Sequence, residues 1–165
     1  MALVYVAMGS NVGDRAAHLT AARDGLDALP ATAVRRMSSG YETVPVGPQD
    51  QGPFLNAAIE LETELTPRLL LERTQRLERQ AGRAGAADRQ PWGPRELDLD
   101  LLLFGDRVLS QVGLRVPHPH LHERWFVLKP LAELIPDRVP PGFETTVQQM
   151  LDAVEAKAAM QSPAE

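Results

Sequence analysis

Two aspartates, Asp98 and Asp100, interrupt an otherwise apolar run, Leu97-Asp-Leu-Asp-Leu-Leu-Leu-Phe104. Carboxylates are hard oxygen donors, and two that project from one side of a strand can bracket a divalent cation. The run reads as a strand, with side chains on alternate faces. Leu97, Leu99, Leu101 and Leu103 then share one side, and Asp98, Asp100, Leu102 and Phe104 the other. The aspartate Cα atoms stand about 6.6 Å apart at ~3.3 Å per residue. Alternating Asp on a strand can equally be the wet face of an antiparallel sheet. Here the Asp side continues into Leu102 and Phe104, so it is not simply wet. Burying both carboxylates without a cation would be costly. Arg95 and Trp92 lie just upstream, in a Pro/Gly-rich approach.

Other elements must hold this strand. Leu3 to Met8 is a short apolar strand ended by Gly9-Ser-Asn11. Asp14 is the expected N-cap of a helix from Arg15 to Leu29, with Leu19, Ala22, Leu26 and Leu29 as its buried stripe. Ser38 to Val46 has strand character. Gly47 to Pro53 is a loop by composition. Asn56 to Leu65 alternates, with Ile59, Leu61, Thr63 and Leu65 opposite Glu60, Glu62 and Glu64. That pattern predicts a half-exposed strand. Thr66-Pro67 opens a second helix that runs to Gln80 or Ala81 and stops at Gly82. Leu70, Thr74, Leu77 and Ala81 form its core stripe, leaving Gln75 and Glu78 on a neighbouring polar face. After the Asp strand come a Gly105-Asp106 turn and an expected hairpin partner, Arg107 to Leu109. Val116 to His122 is irregular. Glu123 to Leu134 is helical despite Pro130, and Thr145 to Met160 is an amphipathic helix buried along Val147, Met150, Leu151 and Val154. This order predicts an α+β fold with a ferredoxin-like βαββαβ core, an antiparallel sheet with helices packed on its faces.

Composition narrows the function classes. At 165 residues, 44% hydrophobic and 24% charged, the chain reads as a single soluble domain spanning 1–165, with the last five or so residues frayed. No apolar run approaches the ~20 residues of a membrane span, and no secretory leader is evident. A net charge of −5 argues against a nucleic-acid binder. The absence of cysteine excludes thiolate catalysis and Cys-ligated zinc, and suits a cytoplasmic protein. There are fifteen Arg and only two Lys, and no G-x-x-x-x-G-K-[ST] motif. Any phosphate binding must therefore rely on arginine, metal and backbone. No association stripe is apparent, so a monomer is expected.

Four segments require a joint explanation: Gly9-Ser-Asn11; Gly47-Pro-Gln-Asp-Gln51 with Phe54-Leu-Asn56; Trp92-Gly-Pro-Arg-Glu-Leu-Asp-Leu-Asp100; and Val116-Pro-His118 with Arg124 and Phe126. In this order they resemble the 6-hydroxymethyl-7,8-dihydropterin pyrophosphokinase family of folate biosynthesis, from about Leu3 to Pro136. The resemblance implies a Mg²⁺-dependent transfer of pyrophosphate from ATP to the pterin hydroxymethyl oxygen, releasing AMP. It implies Asp98 and Asp100 as ligands of two Mg²⁺ ions, and Arg83 and Arg95 as catalytic together with them. Thr43, Pro45, Val46, Phe54, Asn56, Trp92 and Phe126 would bind the pterin. Gln75, Glu78, Arg83, Trp92, Arg95, Leu101, His118 and Arg124 would bind ATP. On pattern alone, Phe54 and Phe126 read as core residues, Gln75 and Glu78 as a polar helix face, and Arg83 and Arg124 as solvated surface.

Three departures from the family pattern stand out. The Gly82-Arg-Ala-Gly-Ala-Ala87 run lacks the extra basic residues often found there. Gln90-Pro91 looks like an insertion before Trp92, and Pro119 replaces an aromatic residue after His118. His118, His120 and His122 also form an H-x-H-x-H pattern, a conceivable zinc site. Only His118 of the three matches the family.

Overall fold

The computed structural model describes residues 1–43, 53–82 and 96–161. Its strands are β1 (Ala2–Ser10), β2 (Thr32–Met37), β3 (Tyr41–Thr43), β4 (Phe54–Thr63), β5 (Asp98–Phe104), β6 (Leu109–Gln111) and β7 (Leu114–Val116). Its helices are α1 (Arg15–Asp27), α2 (Pro67–Gln80), α3 (Trp125–Leu134) and α4 (Val147–Gln161). The main sheet runs β2-β4-β1-β5, every described pair antiparallel, with β3 also paired to β4. Since β1 and β2 both run antiparallel to β4, they are parallel to each other, and α1 makes the crossover between them. This is the expected ferredoxin-like arrangement. Among the described residues, no helix is long and apolar enough to cross a membrane.

Alternation along the strands gives the sheet two apolar faces, each with its own core. Val4, Val6, Met8, Ile59, Leu61, Leu99 and Leu101 pack with Leu19, Ala22 and Leu26 of α1 and Leu70 of α2. Tyr5, Ala58, Leu102 and Leu103 pack on the other side with Val127, Leu128 and Leu131 of α3 and Val147, Met150 and Leu151 of α4. Both early helices start as expected. The Asp14 carboxylate accepts from the Ala17 N–H, and the Thr66 hydroxyl accepts from the Leu69 N–H, with Pro67 at the first helical position.

Several expectations need correction. A bulge falls between Val6 and Tyr5 on the β1–β5 ladder, where Val6 pairs with Leu101 but Tyr5 with Leu103. Two successive β5 residues then face the same way. Leu103 therefore joins the Asp98 side of the sheet, and Phe104 packs with Leu99 in the first core, the reverse of strict alternation. Of the strand expected from Ser38 to Val46, the described part forms only β3, Tyr41–Thr43, and an unexpected strand, β2, precedes it at Thr32–Met37; the two lie in tandem on one edge of β4. Ser38 breaks the ladder by offering its side-chain Oγ, not its carbonyl, to the Ala58 N–H at 2.8 Å. Gly40 then passes over Leu55, where an added Cβ would lie 2.9 Å from a Leu55 methyl. The strand expected to be half exposed is central, and Glu60 on it is buried. The segment after Gly105 does not pair with β5: β6 pairs with β7 in a separate hairpin. On α2, Leu77 is half-buried while Glu78 is buried, so Glu78 does not lie on a polar face.

Candidate active site

In an antiparallel ladder, directly opposed residues project from the same face. One row across the sheet reads Tyr41, Asn56, Gly9, Asp98. The next row on that face reads Ala58, Ala7, Asp100. Both aspartates therefore belong to the α3/α4 side, beyond the region that those helices cover. Asp98 is half-buried and Asp100 exposed. Neither side chain is locked away from solvent. Gly9, between Asn56 and Asp98, forms a buried floor without a side chain; a Cβ there would lie 3.2 Å from Asn56 Oδ1 and 3.5 Å from the Phe54 ring. Phe54 is two residues from Asn56 on the same strand and shares its face. The buried Asn56 donates from Nδ2 to Thr43 Oγ1 at 2.8 Å and to the Tyr41 carbonyl at 3.3 Å. Its amine is thus committed within the protein, and its Oδ1 is turned towards Gly9. Arg15 supports this corner: its guanidinium pairs with Glu42 and donates to the Pro53 carbonyl, tying β3 to the start of β4.

A cavity of about 220 Å³ lies on the outer side of β5, walled by Leu71 of α2, by Leu99, Asp100 and Leu101, and by the β6–β7 hairpin, with His118 and Pro119 at one end. The buried Glu78 accepts a hydrogen bond from the Leu99 N–H at 2.9 Å, capping the strand edge between the two aspartates. His118 is held from both sides. Its N–H donates to the Leu102 carbonyl, and its Nδ1 accepts from the His120 N–H at 3.1 Å. Burial, and then the nearby Arg124 charge, lower its pKa from 6.5 to about 4. The ring is therefore neutral near pH 7, with Nδ1 as acceptor and the proton on Nε2. Arg124 precedes the first turn of α3, its guanidinium carbon 5.8 Å from the Phe126 ring centroid. Phe126 is half-buried against the α3/α4 core.

The fold brings part of the expected set together near β5. Asp100, Leu101 and His118 border one cavity. Gln75 is exposed four residues beyond the cavity-lining Leu71, on the same strip of α2. Thr43, Phe54, Asn56 and Asp98 meet across the sheet, and Arg124 and Phe126 begin α3. Pro45, Val46, Arg83, Trp92 and Arg95 lie outside the described residues. The His120 and His122 ring nitrogens approach Glu123, the His120 ring stands 6.0 Å from that of His118, and among the described residues no group of three His, Cys, Asp or Glu could hold a metal ion. Sequence reasoning missed Leu71, Gly113, Leu114 and Arg115 of the cavity wall. A faint signal existed for Leu71, one turn before Gln75. The hairpin residues had none, because their part in the wall depends on where the hairpin folds.

The family model for 7,8-dihydro-6-hydroxymethylpterin-pyrophosphokinase (HPPK) matches residues 5–136. Curated relatives include proteins named 2-amino-4-hydroxy-6-hydroxymethyldihydropteridine pyrophosphokinase. One from Bacillus subtilis is 48% identical over 80% of this chain and 77% of its own length. One from Haemophilus influenzae is 36% identical over 99% of this chain and 100% of its own. Among solved structures, a Plasmodium falciparum HPPK-DHPS chain superposes with a TM-score of 0.75 at 12% identity, over 97% of this chain and 46% of that longer one. That likeness speaks for the fold. The relatives and the family model together settle the membership: this chain belongs to the 7,8-dihydro-6-hydroxymethylpterin-pyrophosphokinase family.

Proposed function

We propose that this chain is an ATP:pterin diphosphotransferase, moving the terminal pyrophosphoryl group of ATP to the hydroxymethyl oxygen of 6-hydroxymethyl-7,8-dihydropterin. Beyond family membership, one observation carries this reading. The aspartate pair stands between two different binding surfaces: Asp100 lines the cavity beside β5, and Asp98 shares a sheet row with Asn56 and Gly9. A transfer between two substrates needs the charge-handling groups between them. We assign the cavity to the nucleotide and the Gly9 floor to the pterin. Leu71, Leu99 and Leu101 supply apolar walls, and the neutral His118 offers Nε2–H to a nucleotide oxygen. Asn56 Oδ1 accepts from the amino-bearing edge of the pterin, and Phe54 and Phe126 supply aromatic faces. Arg124, with Arg83 and Arg95, neutralises phosphate oxygens.

Two carboxylates are too few to saturate a Mg²⁺ ion, which prefers one or two carboxylates completed by phosphate oxygens and water. Asp98 and Asp100 fit that habit, and we assign both to hold Mg²⁺. When bound, the metal neutralises triphosphate charge and orients its oxygens. The hydroxymethyl oxygen attacks the β-phosphorus, the bond from that phosphorus to the oxygen bridging to the α-phosphorus breaks, AMP departs, and the hydroxyl proton passes to water. We read the chain as a single-domain, cytoplasmic monomer. The test is product analysis with pterin, ATP and Mg²⁺. AMP should form only when all three are present, and should be lost on addition of a chelator. Asp98→Asn and Asp100→Asn should each lower kcat by about 10²-fold or more with unchanged far-ultraviolet circular dichroism. ADP as product, or full turnover in both variants, would overturn the reading.

A further inference from the structure

The cavity beside β5 has one wall that the main sheet does not supply. Gly113, Leu114 and Arg115 belong to the β6–β7 hairpin, whose strands pair only with each other. A two-stranded hairpin has little stability of its own and takes its position from what it touches. Val116 at its base and Leu114 beside its turn are both buried in the first core. Beyond that apolar anchor, a side chain of α2 reaches the exposed part of its tip. Arg68 Nη2 donates to Gln111 Oε1 and to the Val112 carbonyl, each at 3.1 Å. These acceptors immediately precede the cavity-lining Gly113. Three residues along α2 from Arg68, on the same strip of helix, is Leu71, which forms the facing wall. Arg68 therefore bridges the two walls at their outer rim.

We infer that Arg68 is a positioning residue for the nucleotide: it sets the spacing between α2 and the hairpin, and so the fit of the cavity, without lining it. The inference rests on the assignment of that cavity to ATP. It separates the two substrates, because the Gly9 floor lies on the other side of β5 and receives nothing from the hairpin.

Steady-state kinetics on Arg68→Ala, Arg68→Lys and Gln111→Ala test this, after the wild-type protein has been shown to form AMP. If the wild type forms no AMP, the assigned function fails before Arg68 is in question. Arg68→Ala should raise KM for ATP about fivefold, the size expected for losing hydrogen bonds that hold a wall in place. Its kcat and its KM for the pterin should stay within about twofold of wild type. Both bonds leave one nitrogen, so a lysine ammonium can replace them, and Arg68→Lys should recover most of the loss. Gln111→Ala removes one bond and no charge. A smaller rise in KM for ATP there ties the effect to geometry and not to a lost cation. Calorimetry with an α,β-methylene ATP analogue should show the same order of affinities without turnover. An unchanged KM for ATP in Arg68→Ala would overturn the inference. So would KM values for both substrates rising together with a lowered melting temperature, since that pattern marks general destabilisation.

Discussion

Gly9 occupies a crowded position. Its two ladder partners, Asn56 and Asp98, carry the polar groups of the row. Its requirement is lateral space, not an unusual backbone angle. In Gly9→Ala the new methyl would press on Asn56 Oδ1 at 3.2 Å, a contact a shift of a few tenths of an ångström relieves. The fold should therefore lose only about 1 kcal/mol. The carbonyl moved in that shift is the one we assign to the pterin, so KM for the pterin should rise several-fold while KM for ATP holds. Kinetics with each substrate varied in turn would show it, and an unaltered pterin KM would remove Gly9 from the site.

At the scale of elements, the central strand β4 holds the sheet to its second helical layer through a carboxylate. Glu60 accepts from the Tyr5 hydroxyl at 2.5 Å across β1 and from Arg36 Nη2 at 2.8 Å across β2. The same Arg36 nitrogen donates to the Leu134 carbonyl at the end of α3. Arg36 first, opposed by burial, holds the Glu60 pKa below its ordinary value, while burial and Glu60 itself push the Tyr5 hydroxyl up to about 12. Glu133 of α3 repeats the device, accepting from the Ser39 N–H and the Tyr41 hydroxyl. Together these contacts seat α3 against the strands that bear Thr43 and Asn56. Glu60→Ala strands the Tyr5 hydroxyl in the core and should cost roughly 2 kcal/mol in urea unfolding. Tyr5→Phe removes one bond and leaves Arg36 in place, so a smaller loss, near 1 kcal/mol, is expected. Equal losses in the two variants would show that Arg36 contributes nothing.

For the whole molecule, groups with shifted pKa values set the pH range of stability. His118 titrates at about 4 in the folded state against 6.5 ordinarily. Between those values the unfolded chain binds a proton that the folded chain refuses, so its contribution is complete above pH 6.5 and is lost as pH falls towards 4. Glu60 and Glu133, both lowered, add losses in the same direction at more acid pH. Tyr5 acts at the other limit: its contribution is present below pH 10 and fades as pH rises towards 12. Urea midpoints should fall from pH 7 to pH 5, and His118→Gln should flatten that slope. A slope identical in the variant would mean that His118 is not its source.

Much of this protein is legible along the chain. Helix boundaries at Asp14 and Thr66 are local, since a capping oxygen and a first-turn proline act within four residues. The paired aspartates follow from a period of two, and the order of strands and helices was enough for the ferredoxin-like core. Local pattern failed where a distant partner decided the outcome. Glu60 looks like a solvent-facing residue until Tyr5 and Arg36 arrive from two other strands and α3 covers them. Glu78 looks like part of a polar helix face until the edge of β5 presents an unpaired N–H. Phe104 changes sides because of a bulge that only the β1 register reveals. The cavity wall of Gly113 to Arg115 depends on where the β6–β7 hairpin packs, with Leu114 and Val116 in the core and Arg68 bonded to its tip. Propensity and periodicity are properties of a segment, and they specified the elements. Burial, register and the satisfaction of polar groups belong to pairs of segments, and only the tertiary structure decided those.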